Sequence, residues 1–302
     1  MAVAFRRLQS SFFAEAGPIA LRETFDDGTL AAIRAGMDEH AVLVFHDQAF
    51  TDDEQIAFAQ RLDGKLHAKT GARVVAQNRF GNEALTDISN VGASGQLLAA
   101  DDRRREYSLG NRLWHTDASF EDPPGRYSML HARVIPKQHA DTEFADMRAA
   151  WDALDPKMKA RIEGLRVHHS IAYSRQVLGF EFSAEEAAKL PGAVHPLVRT
   201  IPRSGRRSLY LASHANRIEG MGVPDGRLLL RELTEHATQP AFVHRHRWRV
   251  GDLVIWDNRC TMHRGRPYDD TQRRVLHRTT VSDYANTLEQ EGLVAVSAAE
   301  RP

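Results

Sequence analysis

The stretch "NRLWHTDASF", Asn111 to Phe120, sets a histidine and an aspartate two residues apart. On a strand, residues i and i+2 share a face. His115 and Asp117 would then offer an imidazole nitrogen and a carboxylate oxygen to one ion. The spacing alone is a weak signal, because structural hydrogen bonding accounts for most such pairs in a chain with 15 histidines. His168 and His169 cannot share a strand face, and His244 and His246 lie among arginines on what reads as a solvated strand. His263 stands apart. In "DLVIWDNRCTMHRGRPYD" it falls just past a buried strand and a turn-like "DNR", where it offers a distant third ligand. Two histidines and one carboxylate leave three positions open on ferrous iron, the pattern of non-haem oxygenases. Zinc accepts the same ligand types, so residue type leaves that alternative open. "RRVLHRTTV" then places Arg274 and Arg278 four apart, on one face of a strand. Guanidinium suits bidentate capture of carboxylate. Surface arginines are the plainer reading, but a pair so close behind a candidate ligand fits an anionic cosubstrate reaching a metal.

Other templates fail. "GMGVPDG" lacks the third glycine of a dinucleotide fingerprint and reads as a turn. No G-x-S-x-G, H-E-x-x-H or C-x-x-C pattern occurs. Cys260 is the single cysteine, so no internal disulfide forms, and its expected role is a small buried side chain in a reducing compartment.

The elements that must position these residues follow from pattern. "AVLVFHD" from Ala41 reads as a buried strand. Thr51 and Glu54 have capping-box spacing, and Ile56, Phe58, Ala59 and Leu62 give one apolar face of a helix that stops near Gly64. "LTDISNV" reads as a strand, and "DDRRRE", Asp101 to Glu106, reads as a solvated loop. "RYSMLHARVI" has strand character, while "DTEFADMRAAWDALDPKMKARIEGL" reads as two short helices split at Pro156. "SAEEAAKL" is a short capped helix. "HPLVRTIP" and "RSLYLA" form a strand pair across "RSGR", and "DGRLLLRELTEHATQP" is an amphipathic helix ended by Pro240. "FVHRHRWRV", "DLVIWDN" and "RRVLHRTTVS" are closing strands. No repeat or linker interrupts residues 1–302, so a single domain is expected. The class is mainly β with helical insertions (α+β), built on a double-sheet jelly roll rather than a βαβ sheet.

Forty basic residues balance forty acidic ones, which argues against nucleic-acid or membrane-surface binding. Arg6 and Arg7 resemble a twin-arginine signal, but Ser10, Ser11, Glu15 and Pro18 break the apolar run such a signal needs. A cytoplasmic setting is expected.

Taken together, "WHTD", "WDNRCTMHRGRPYD" and "RRVLHRTT", in this order, resemble the taurine dioxygenase superfamily of iron(II)- and 2-oxoglutarate-dependent dioxygenases. "AVLVFHDQ", "DISNVG", "RYSMLHARVIP", "DTEFADMRAAWDAL" and "GRLLLRELTEHATQPAFVHRHRW" resemble its 2,4-dichlorophenoxyacetate and aryloxyalkanoate branch. The resemblance spans nearly the whole chain and is weakest over 65–105 and the last twenty residues. It implies a double-stranded β-helix (jelly-roll, cupin-like) core. It implies His115, Asp117 and His263 as iron ligands, and Arg274 with Thr142 at the distal carboxylate of 2-oxoglutarate. Arg278 matches the position that faces the substrate acid. Trp256 and Asn258 match the motif as packing for the ligand-bearing turn.

Two departures stand out. Ala140 replaces a glycine common before the "DT" pair, and Gln96 replaces a lysine carried by some relatives. Lys69 and the arginines at 103–105 are the candidate substitutes for that lysine. The implied reaction uses Fe(II), 2-oxoglutarate and O2. It hydroxylates the carbon beside the ether oxygen of an aryloxyacetate-type acid and releases a phenol and glyoxylate, with succinate and CO2. The same chemistry on another acid, such as an alkyl sulfonate or a cinnamate-like acid, is the alternative. A jelly-roll metal- or anion-binding protein is the non-enzymatic one. The expected partner is a small carboxylic acid, and a homo-oligomer is implied by resemblance alone.

Overall fold

The computed structural model describes residues 3–23, 26–67, 79–138 and 140–293. Lys69 lies outside the described residues. The strands are β1 Phe5–Arg7, β2 Ala14–Ala16, β3 Val42–Phe45, β4 Leu85–Ser89, β5 Gly125–Val134, β6 Thr142–Asp146, β7 Arg166–His169, β8 Ala193–Pro196, β9 Val198–Thr200, β10 Arg207–Leu209, β11 Ala215–Ile218, β12 Val243–His246, β13 Leu253–Asp257, β14 Thr261–Gly265 and β15 Val275–Ser282.

Seven strands make one sheet in the order β1-β2-β3-β13-β5-β15-β4. Every pairing in it is antiparallel except β2 with β3. A second sheet, β12-β6-β14, is antiparallel throughout. Strand periodicity explains how the two meet, since alternate side chains point to opposite faces. Val42, Val44, Leu130, Ala132, Val254, Trp256 and Leu276 join Phe144 of the second sheet in one buried cluster. The intervening Leu43, Phe45, Met129, Leu253, Ile255 and Val281 pack against the helices Asp27–His40 and Asp52–Asp63. On the far side, Ala145 and Met262 of the second sheet are covered by Leu229, Leu230 and Leu233 of the helix Val223–Ala237. The expected mainly β jelly roll with helices outside is what these layers form. Among the described residues no helix is long and apolar enough to cross a membrane.

Thr51 and Glu54 do form a capping box on the helix Asp52–Asp63. The buried face of that helix differs from the expected one by a single residue. Ile56 is half-buried, and Gln55 is fully buried in its place. Its Nε2 donates to the carbonyls of Met129 (3.3 Å) and His277 (2.9 Å), which fastens the helix to β5 and β15 together.

Other expectations are corrected. "DDRRRE" is no loop: Asp102 caps a short helix, Arg103–Ser108. The start of "DTEFAD" is β6, and only Met147–Asp152 is the first of the two helices. Between two paired strands, its backbone polar groups are satisfied by ladders on both sides. His246 is buried, with Nε2 3.1 Å from the Asp252 carboxylate, so β12 is not a solvated strand. His115 and Asp117 are not on a strand. His115 makes an isolated bridge to His263, and Asp117 begins a turn.

Candidate metal centre and cavity

His263 sits on β14, opposite Phe144 of β6. The turn that delivers it is held by its own polar groups. The Asp257 carboxylate accepts from the Arg259 backbone N–H (2.9 Å) and from the Arg259 guanidinium (2.7 to 3.2 Å), and both residues are buried. Phe144 stacks on the His263 ring at 5.9 Å between centroids, and Trp256 lies 4.7 Å away. His263 brings His115 with it through their shared bridge. The Thr116 hydroxyl lies 3.0 Å from the carbonyls of both Leu211 and Thr261, so the residue between His115 and Asp117 is anchored as well.

Asp117 is held by a chain of hydrogen bonds. Trp256 Nε1 donates to Asn258 Oδ1 (3.0 Å), which also accepts from the Asp117 backbone N–H (3.1 Å). Asn258 Nδ2 donates to Ser128 Oγ (2.9 Å), and Ser128 donates to Asp117 Oδ2 (2.8 Å). The other oxygen, Oδ1, accepts from Arg278 Nη1. Trp256 and Asn258 thus do pack the turn that leads to His263, and Ser128 adds a contact the sequence reading missed. The only signal for it was one small polar residue between the large side chains of Tyr127 and Met129.

The three side chains converge. Their candidate ligand atoms lie within 4.8 Å of one another. His115 Nε2 is 4.0 Å from Asp117 Oδ1, and His263 Nε2 is 3.7 Å from Asp117 Oδ2. His115 Nδ1 lies 2.8 Å from the Leu113 carbonyl, which assigns its proton to Nδ1 and leaves the Nε2 lone pair facing the aspartate. Burial pushes the His115 imidazole down to about 4, and it holds His263 well below its ordinary range. Burial alone would raise the Asp117 carboxyl, but Arg278, His263 and His115 outweigh it and hold the group at about 2. Two neutral imidazoles and one charged carboxylate are the donor set a divalent cation takes.

These residues open onto a cavity of about 470 Å³, the size of a small-ligand site. Its walls include Thr142, Arg274 and Arg278 together with the apolar Ile88, Val91, Phe120 and Ile171. Buried Ala140 leaves Thr142 on the cavity wall, and Trp248 Nε1 donates to Thr142 Oγ1 (2.9 Å). Arg274 is buried, with its backbone N–H on Asn90 Oδ1 (2.8 Å) and its guanidinium 5.4 Å from the Tyr268 ring. Among the described residues no carboxylate pairs with it. Arg278, on β15, lines the same cavity but is closed onto Asp117. Of the arginines at 103–105, Arg103 pairs with Glu186 away from the cavity, while Arg104 and Arg105 line it paired with Asp102 and Asp270. Arg175, which sequence reasoning did not single out, also lines the cavity.

A family model described as "Taurine catabolism dioxygenase TauD, TfdA family" matches residues 4–280. The chain is 46% identical over 286 residues to the alpha-ketoglutarate-dependent 2,4-dichlorophenoxyacetate dioxygenase of Cupriavidus pinatubonensis (strain JMP 134 / LMG 1197), covering 94% of this chain and 99% of the relative. It is 44% identical over 281 residues to the protein of that name from Burkholderia sp. (strain RASC), covering 93% and 94%. A crystal structure of AAD-2 in complex with Mn(II) and N-oxalylglycine matches with a TM-score of 0.87 at 46% identity, covering 95% of this chain and 99% of that one.

Proposed function

The chain belongs to the TauD, TfdA family of dioxygenases, and from that premise we propose that it hydroxylates the carbon beside the ether oxygen of an aryloxyacetate-type acid such as 2,4-dichlorophenoxyacetate. It is a 2-oxoglutarate-dependent dioxygenase that uses iron(II) and O2. The hydroxylated ether carbon gives a hemiacetal, which breaks its carbon–oxygen bond to release a phenol and glyoxylate. Succinate and CO2 come from the cosubstrate. One observation carries the reading: two histidines and a carboxylate share a single cavity with buried guanidinium groups and apolar walls.

His115, Asp117 and His263 would hold the iron. Bound there, iron supplies the activation of O2 and the oxidative decarboxylation of 2-oxoglutarate. The protein's own residues bind and orient. Arg274 and the Thr142 hydroxyl would take the distal carboxylate of 2-oxoglutarate. Trp248 supports this role for Thr142, because an indole N–H only donates. The hydroxyl accepts from it and keeps its own proton to give to a carboxylate. Arg278 holds Asp117 in place and lines the cavity beside the substrate acid. The apolar walls surround the ring and exclude water, and the anchored acid selects which C–H bond is presented. A cytoplasmic setting and a homo-oligomeric assembly belong to the same proposal. The buried Cys260 thiol supports the first, and the resemblance supports the second.

The test is incubation with iron(II), 2-oxoglutarate, O2 and either 2,4-dichlorophenoxyacetate or taurine. Phenol and succinate should appear together, in equal amounts, with the first acid only. Succinate that depends on taurine instead would move the reading to an alkyl sulfonate.

A further inference from the structure

We propose that Arg175 is a second anion anchor of this cavity and takes the carboxylate of the aryloxyacetate-type substrate. The inference rests on the function proposed above and names a specificity-determining residue for it.

Arg175 belongs to the helix Ile171–Gln176, is 3% exposed and lines the cavity with His115 and Asp117. Its guanidinium is seated in a fitted slot. One face lies over the Tyr107 ring at 4.6 Å. It also lies against Gly110, where a Cβ would fall 2.2 Å from the guanidinium carbon, so only glycine admits it. Its edge is held by Asn111 Oδ1 (3.3 Å) and Ser174 Oγ (3.2 Å). Both partners are neutral. Among the described residues no carboxylate pairs with Arg175, and its Nε is buried without an acceptor. A buried charge lacking a counter-ion is costly, so such groups are ordinarily paired.

The other arginines of the cavity narrow the choice. Arg79, Arg104, Arg105, Arg266 and Arg278 are closed onto carboxylates, and Arg112 is exposed. Two buried guanidinium groups remain without a carboxylate, Arg274 and Arg175. The reaction also brings two anions, the cosubstrate and the substrate acid. Arg274 stands just before β15 and matches the sequence pattern for the first. Arg175 stands on another wall, beside Tyr107, Phe120 and Ile171 of one apolar cluster. A cation next to aromatic and aliphatic surface complements an acid attached to an aryl ring.

The test compares wild type with R175M, using 2,4-dichlorophenoxyacetate and its uncharged amide. In R175M the KM for the acid should rise at least tenfold, and the preference for acid over amide should fall by the same factor. The KM for 2-oxoglutarate and the affinity for Mn(II) should stay within twofold. If the acid KM stays within twofold, or acid and amide KM rise together, Arg175 only packs the slot and the inference fails. If wild type does not convert the acid, the functional reading fails and this inference falls with it. If R175M does not fold, R175K serves: it keeps the charge, loses the planar fork, and should raise the acid KM alone.

Discussion

His115 and His263 are partners through their backbones. The N–H of His115 donates to the His263 carbonyl (3.0 Å), and the N–H of His263 returns to the His115 carbonyl (2.8 Å). Their rings lie 4.2 Å apart between centroids because the chain holds them there. Replacing an imidazole therefore leaves the bridge in place. His263→Ala should weaken Mn(II) binding by at least roughly 100-fold, beyond the loss expected from an outer partner. Circular dichroism should be unchanged. Wild-type metal affinity in this variant would sink the assignment of the site.

Ser128 is the joint between Asn258 and Asp117. Ser128→Ala removes the donor to Asp117 and the acceptor for Asn258. Metal affinity should fall by roughly 10- to 100-fold, as for other residues that orient a ligand. Mn(II) titration followed by tryptophan fluorescence measures it.

Trp248→Phe removes the N–H that fixes the Thr142 hydroxyl. The expected result is a KM for 2-oxoglutarate raised by roughly 5-fold, the worth of about 1 kcal/mol. The KM for the aryloxy acid should be unaffected. Equal changes in both would point to a general disturbance of the cavity.

Gln55→Leu takes away two buried hydrogen bonds and should cost about 1 to 3 kcal/mol of stability. Thermal unfolding measures the loss. Turnover below the new melting point should match wild type, since Gln55 reaches the outer face of the sheet and not the cavity.

Acid should destabilise the metal-free protein from about pH 6.5 downward. Burial pushes His131 down to about 4 and His195 to about 3, against an ordinary imidazole value of 6.5. As the pH falls through 6.5 the unfolded chain takes up protons that the folded protein refuses. Stability then drops until the folded-state values are reached. The slope is roughly 1.4 kcal/mol per pH unit for each such site. Burial raises the Asp122 carboxyl to about 6, and this works the other way, favouring the folded state at low pH. Two imidazoles outweigh that single group. The unfolding midpoint should fall between pH 7 and pH 5, and a flat profile would overturn this account.

Sequence reading succeeded where an element is apolar enough to be buried. The apolar runs of β3 and β13, the strand character of β5 and the capping box at Thr51 were all visible. It failed where a residue is decided by a distant neighbour. β14 is short and carries Arg264 and Gly265, so nothing local marks it, yet pairing with β6 makes it a strand. His115 and Asp117 were placed together by strand logic, but a single bridge and a turn do the placing. Gln55 was not named on the buried face because side-chain type gives no hint of two waiting carbonyls. Arg278 reads as free in a line of letters and is closed onto Asp117 in space. Arg175 had no pattern to betray it, since its slot is made by Tyr107 and Gly110 on a separate segment.

The order of the large sheet bears on how the chain must be made. β13 lies between β3 and β5, and β15 lies between β5 and β4. A nascent chain that has emerged as far as Val134 holds β3, β4 and β5 with no strand to join them to one another. The strands that join them, β13 and β15, come off the ribosome only with residues 253–282. Such high contact order slows folding. It also leaves apolar strand edges open during synthesis, a hazard that chaperones exist to cover. The metal site, split between the middle of the chain and these late strands, is among the last parts to form.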